Sequence, residues 1–156
     1  MGQSVATLRT PPYGRLSILS LNIRGINDKK KRPCAKEYLR SLRPDLVSLQ
    51  ETHIQYDQKQ ALNDLGLYRI VASLQKNRTR GVAIMARVNP GSKPKYASDI
   101  NGHWAITEIH TAGIKLTLCS IYGSNLDDSD AIEAINSALY AWPSPIIICG
   151  DLNCSL

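Results

Sequence analysis

The chain has 156 residues, 43% hydrophobic and 21% charged, with 19 Lys/Arg against 13 Asp/Glu and a net charge of +6. That length suits one domain with its own core, and the composition is that of an ordinary globular protein without a low-complexity tract or internal repeat. No stretch approaches the ~20 apolar residues needed to cross a bilayer, so no membrane-spanning segment is expected.

The segment 1–15 lacks the apolar core of a signal peptide, and Ala6 stands where a myristoylation pattern needs Ser or Thr. The expectation is an intracellular protein whose residues 1–15 form a flexible basic arm, with Pro11, Pro12 and Gly14 as breakers. Leu16–Ile23 (LSILSLNI) is too continuously apolar for a half-exposed strand and predicts one buried on both faces. Between about 30 and 43, Cys34, Tyr38, Leu39 and Leu42 recur at helical spacing, and Pro44 stops the helix. DLVSLQE (45–51) predicts a second strand. Residues 57–65 predict a short helix with Ala61, Leu62 and Leu65 inward and Gly66 as terminator.

YRIVAS (68–73) and GVAIMAR (81–87) read as strands flanking a basic loop, Gln75 to Arg80. WAITEIH (104–110) and IKLTLCSIY (114–122) flank Thr111-Ala112-Gly113, a hairpin signal. Asp127, Asp128 and Ser129 offer capping chemistry to a helix carrying Ile132, Ile135 and Leu139, which Pro143 and Pro145 end. IIICGDLN is the last strand, expected to be buried. Helices alternate with strands, but adjacent strands and a hairpin sit in the middle, so a layered mixed α/β fold fits better than a doubly wound parallel sheet.

Charge is unevenly spread. Residues 1–44 hold ten Lys/Arg and two Asp/Glu, against nine and eleven in 45–156. The positive charge is densest in Asp28-Lys-Lys-Lys-Arg32. Such asymmetry steers a protein toward a polyanion such as nucleic acid, and a solvated loop and helix face accounts for it equally well. Cys34, Cys119, Cys149 and Cys154 are too sparse for a disulfide framework. Cys149-x4-Cys154 has no second pair to complete a zinc site, because His53, His103 and His110 are scattered. Buried or idle thiols are expected.

Four apolar strands end in polar groups of a limited kind. The first delivers Asn22, the second Gln50-Glu51-Thr52-His53, the strand after the hairpin Tyr122 followed by Gly123-Ser124-Asn125, and the last Asp151 and Asn153. Ligand sites form beyond the carboxyl ends of strands in open α/β sheets. If the four strands are neighbours, two carboxylates, two amides and a phenol converge. That oxygen-rich set suits a hard cation held by one or two carboxylates, with a second carboxylate left to orient or deprotonate water. Each residue also has a plainer explanation, as turn former, helix start or wet-tipped core aromatic.

LNIRGI (21–26), LQETHI (49–54), RGVAIM (80–85), IYGSN (121–125) and CGDLN (149–153) resemble, in order, the motifs of the endonuclease/exonuclease/phosphatase superfamily. The closest likeness is to the apurinic-type endonuclease domain of LINE-type (non-LTR) retrotransposons. The resemblance implies a four-layered α/β sandwich, two mixed sheets inside and helices outside, over residues 16–156. It implies Mg²⁺, with Mn²⁺ as a substitute, held chiefly by Glu51. Asn22 would help position the metal shell, Tyr122 would contact the scissile phosphate, Asp151 would orient or activate the attacking water, and Asn153 would hold phosphate and substrate. Arg24, at a position where some relatives carry a carboxylate or amide, would meet phosphate, as would Lys76, Arg78 and Arg80 of the basic loop.

The implied activity is nicking of DNA, and action on chromosomal DNA implies the nucleus. The superfamily also cleaves phosphoinositides and sphingomyelin, which the basic arm and the Lys76–Arg80 loop favour less. Relatives continue past the CGDLN strand and supply a further catalytic Asp-His pair that none of His53, His103 and His110 matches. The resemblance therefore implies a domain lacking its C-terminal portion, impaired by itself, with an open sheet edge that invites self-association. A non-catalytic nucleic-acid-binding remnant of the same scaffold is the alternative.

Overall fold

The computed structural model describes residues 3–10, 14–55, 58–66, 68–73, 79–87, 95–111, 114–123 and 129–153. One sheet holds β1 (Gln3–Thr10), β2 (Gly14–Asn22), β3 (Leu46–Gln50), β4 (Arg69–Ser73) and β5 (Val82–Ala86) in the order β1-β2-β3-β5-β4. The other holds β6 (Tyr96–Ser98), β7 (Trp104–Thr111), β8 (Ile114–Tyr122) and β9 (Ile146–Asp151) in that order. Both sheets are mixed. β2 runs parallel to β3 and β8 parallel to β9, and the other neighbours are antiparallel.

Parallel neighbours need a crossover rather than a tight turn. Helix α1 (Lys31–Leu42) supplies it between β2 and β3, and α3 (Ser129–Tyr140) between β8 and β9; the short α2 (Gln60–Asn63) follows β3. Period-2 alternation sends successive strand side chains to opposite faces. Leu16, Ile18, Leu46, Val82 and Ile84 therefore meet Ala105, Ile109, Leu116 and Leu118 between the sheets. Leu19, Leu21, Val47, Leu49 and Met85 of the same strands face out to Leu39, Ala61 and Leu62 of the helices. On the far side Ile106, Cys119 and Ile121 pack on Ile135, Ala138 and Leu139 of α3. Four layers result, as the family resemblance implies.

Several local expectations change. The segment expected to be a flexible arm contains β1, registered antiparallel on β2 from Gln3↔Leu21 to Thr10↔Gly14. The strand edge offered by β2 outweighs the breakers, of which Gly14 is itself the first residue of β2, registered opposite Thr10. On α1 the inward residues are Leu39, Ala35 and Tyr38, whereas Cys34 and Leu42 are exposed. On α3, Ile132 is likewise exposed.

β9 is half-buried rather than buried. Ile147 and Cys149 point into the sandwich, while Ile146 and Ile148 are exposed because α3 covers β7 and β8 instead. The short β6 is absent from the sequence reading. The hairpin residues Ala112 and Gly113, the capping Asp127 and Asp128, Ser124, Asn125 and Cys154 lie outside the described residues. Among the described residues no helix is long and apolar enough to cross a membrane.

Candidate active site

The two βαβ units end side by side. In one, Asn22 is registered beside Gln50, just before Glu51; in the other, Tyr122 is registered beside Asp151. These strand ends therefore come from two sheets stacked face to face, not from one open sheet. The Asn22 side-chain amide closes the gap, with Nδ2 donating to Glu51 Oε1 at 2.7 Å and to Asp151 Oδ2 at 2.8 Å. Its orientation is set by its own oxygen, because Oδ1 accepts from the Arg24 backbone N–H at 3.1 Å. Asn22 is buried, so both bonds to carboxylate form away from bulk water, where charge-assisted bonds are strong.

The backbone beyond the strands is bent to make this possible. Arg24, Glu51, His53 and Asn153 all have positive φ, between 47° and 55°. Such conformations cost energy in non-glycine residues and persist where surrounding bonds over-determine them. Here the Gly25 N–H donates to Glu51 O at 2.6 Å, Ile26 N–H to Thr52 O at 3.0 Å, and His53 N–H to Arg80 O at 2.8 Å. Lys31 Nζ donates to the carbonyls of Ile23 (2.6 Å) and Arg24 (2.9 Å), and Arg32 pairs with Ile26 O and Asp64. Two cations of the basic run thus clip the turn that carries Arg24 instead of standing free.

Asp151 is held from both sides. Its Oδ1 accepts the Asn153 N–H at 3.1 Å, and its carbonyl accepts the Gly123 N–H at 2.8 Å. Asn153 Nδ2 in turn donates to Gly123 O at 2.8 Å. Gly150 allows the approach of β9 to β8, because a Cβ there would sit 2.0 Å from the Ile121 carbonyl oxygen. The Tyr122 hydroxyl is held above its usual pKa first by burial, then by the Glu51 charge and a hydrogen bond to Glu51, with Asp151 adding to it and Asn153 opposing. The phenol therefore stays a proton donor.

Of the sequence-predicted residues, the structure gathers Asn22, Glu51, Tyr122, Asp151 and Asn153 into one cluster. Arg24 lies at its margin with an exposed side chain, and Arg80 lies next to the strand end carrying Glu51. Lys76 and Arg78 lie outside the described residues. Among the described residues no three His, Cys, Asp or Glu side chains form a ready metal cluster. The donor set still fits a hard cation. One neutral amide tethers two carboxylates and brings them hydrogen but no positive charge, the oxygen-only arrangement suited to Mg²⁺ with water and phosphate completing its shell.

Sequence reasoning places His53 at the end of the second strand without a role, and does not assign Asp99 or His103 to this region. His53 Nε2 lies 3.7 Å from Glu51 Oε2, and its ring packs where a Cβ on Gly25 would be. The only advance signal is its place in the QETH run.

Residues 19–156 match the model of the Endonuclease/Exonuclease/phosphatase family. The chain belongs to the endonuclease/exonuclease/phosphatase family. Among solved structures this family member is similar to the AP endonuclease LMAP from Leishmania major, with a TM-score of 0.69 and 18% identity over 88% of this chain and 55% of that one. It is similar to an AP endonuclease from Archaeoglobus fulgidus, with a TM-score of 0.63 and 21% identity over 88% of this chain and 57% of that one. It is also similar to TDP2 from D. rerio complexed with a single-strand DNA product, with a TM-score of 0.64 and 20% identity over 90% of this chain and 62% of that one. At these identities the likeness shows a shared fold, and the chain spans between about half and under two thirds of the length of these structures.

Proposed function

We propose that this chain carries the metal- and phosphate-binding residues of a DNA phosphodiesterase site and that its reaction is metal-dependent nicking of DNA. The observation that carries the proposal is the Asn22 bridge between Glu51 and Asp151, with Tyr122 registered beside Asp151. Glu51 would hold the divalent ion, Mg²⁺ or Mn²⁺. When bound, that ion supplies charge to a phosphate oxygen.

The residues divide the remaining work. Asp151, fixed by Asn22 and by the Asn153 N–H, orients a water and accepts its proton. Tyr122, kept protonated, donates to a non-bridging oxygen as negative charge develops there. The side-chain oxygen of Asn153 orients substrate while its nitrogen is tied to Gly123. Arg24 and Arg80 meet flanking phosphates, which is the sequence-independent part of DNA binding.

DNA is favoured over a lipid phosphoester by ten Lys/Arg against two Asp/Glu in residues 1–44, and by the DNA product in the D. rerio TDP2 structure and the AP endonucleases among the similar folds. The motif set favours a retrotransposon-type target-nicking role within this class.

Nicking of supercoiled plasmid by the 156-residue chain, with Mg²⁺ or with EDTA, tests the reading, with Asp151→Ala as control. Metal-dependent nicking abolished by Asp151→Ala supports it. DNA binding without nicking by the folded chain overturns the catalytic reading in favour of a binding module.

A further inference from the structure

Besides the Asn22–Glu51–Asp151 cluster and the buried Ser48–Ser120 bond, a further chain of side chains links the two sheets near the site. Arg80 Nη1 lies 2.6 Å from His103 Nε2, and His103 Nδ1 lies 3.1 Å from Asp99 Oδ2. A guanidinium has donors only, so Nε2 must accept. The proton of the neutral ring then sits on Nδ1 and is donated to Asp99. Asp99 is fixed by the turn it closes, with Oδ1 accepting the N–H groups of His103 (2.8 Å) and Trp104 (2.9 Å) and Oδ2 that of Asn101 (3.1 Å).

Arg80 and His103 are both rooted in the site through their backbones. The Arg80 carbonyl accepts His53 N–H, two residues past Glu51, and Gly81 O accepts Thr52 N–H at 3.0 Å. The His103 carbonyl accepts the N–H of Tyr122 at 2.7 Å. His103 therefore holds the guanidinium between the strand end that carries Glu51 and the strand end that carries Tyr122. A neutral imidazole fixes Arg80 without neutralising it, whereas a carboxylate in its place would cancel the charge. A pre-oriented cation binds an anion without first losing side-chain freedom.

We propose that His103 is a positioning residue for DNA, which sets Arg80 so that its other N–H groups meet a backbone phosphate flanking the scissile bond. The proposal rests on the DNA reading above.

The test uses the full chain in EDTA, a short fluorescent DNA duplex and fluorescence anisotropy across a salt series. Arg80→Ala and His103→Ala are each expected to weaken binding about five- to tenfold, the scale of one charge-assisted phosphate contact. The double variant should bind no more weakly than Arg80→Ala alone, because His103 acts only through Arg80. His103→Gln should restore most of the affinity, since its amide can accept from Arg80 and donate to Asp99.

Wild-type affinity in His103→Ala, or additive losses in the double variant, would overturn the positioning role and leave the DNA reading standing. No duplex binding by the wild-type chain would overturn both. Should His103→Ala fail to fold, His103→Asn, too short to span both partners, takes its place with the same expected loss. Nitrogen-15 NMR of the wild-type ring gives a readout free of DNA: an Nδ1–H tautomer is expected, and an Nε2–H tautomer sinks the proposal.

Discussion

Asn22 and Asp151 are 129 residues apart in the chain, yet the amide nitrogen of one donates to the carboxylate of the other at 2.8 Å. The same nitrogen reaches Glu51 at 2.7 Å. One side chain therefore joins a carboxylate of the first sheet to a carboxylate of the second.

Asn22→Ala removes both donors and leaves the carboxylates facing each other. Loss of one such polar group from a catalytic site costs about 10²-fold in rate, and plasmid nicking is expected to fall by that amount. Urea unfolding should show a loss of about 1–3 kcal/mol, because half-buried carboxylate oxygens lose a partner. Nicking at the wild-type rate would show that Asn22 plays no part in the chemistry.

Gly150→Ala should be among the most damaging single-methyl changes in the molecule. The added Cβ would stand 2.0 Å from backbone, the Ile121 carbonyl oxygen, which cannot rotate away. Separation of β8 from β9 would carry Asp151 off Tyr122, with a stability loss of roughly 3 kcal/mol or more. Equal urea midpoints for variant and wild type would contradict this.

Ser48 and Ser120 tie the two sheets together inside the core. Ser48 Oγ donates to Ser120 Oγ at 2.7 Å, and Gln50 Nε2 donates to Ser48 Oγ at 2.7 Å. Ser48→Ala leaves buried polar groups short of a partner and should cost about 1–3 kcal/mol. The Ser48→Ala/Ser120→Ala pair should cost less than the two single losses added together, since it removes both ends of one bond. Strict additivity in denaturant titrations would count against the network.

Alkaline pH should loosen the fold. Burial pushes the Cys119 thiol up from 9.0 to about 12 and raises Cys149 as well. Tyr122 and Tyr68 are also raised, chiefly by burial. Each keeps its proton to higher pH when folded than when unfolded. Their contribution is intact below the unfolded values and is lost as pH climbs through the folded ones, so stability should fall from about pH 9 upward. Cys119 should also resist iodoacetamide in the native state while exposed Cys34 reacts, as mass spectrometry of labelled peptides can check. Rapid native labelling of Cys119 would contradict its burial.

The sequence by itself determined the strands other than β1 and β6, the three helices and the residue types that end the strands. Apolar runs such as Leu16–Leu21 mark strands, and the polar residues that end them are fixed by position in the chain. Composition and periodicity are local, so they could report neither the edge partner that makes Gln3–Thr10 a strand nor the face of β9 that α3 leaves uncovered. Only the stacking of two sheets decided that Asn22 meets Asp151 and that Arg80 finds His103 instead of solvent. Those contacts join residues remote in sequence, and no pattern within one segment encodes the distance between two.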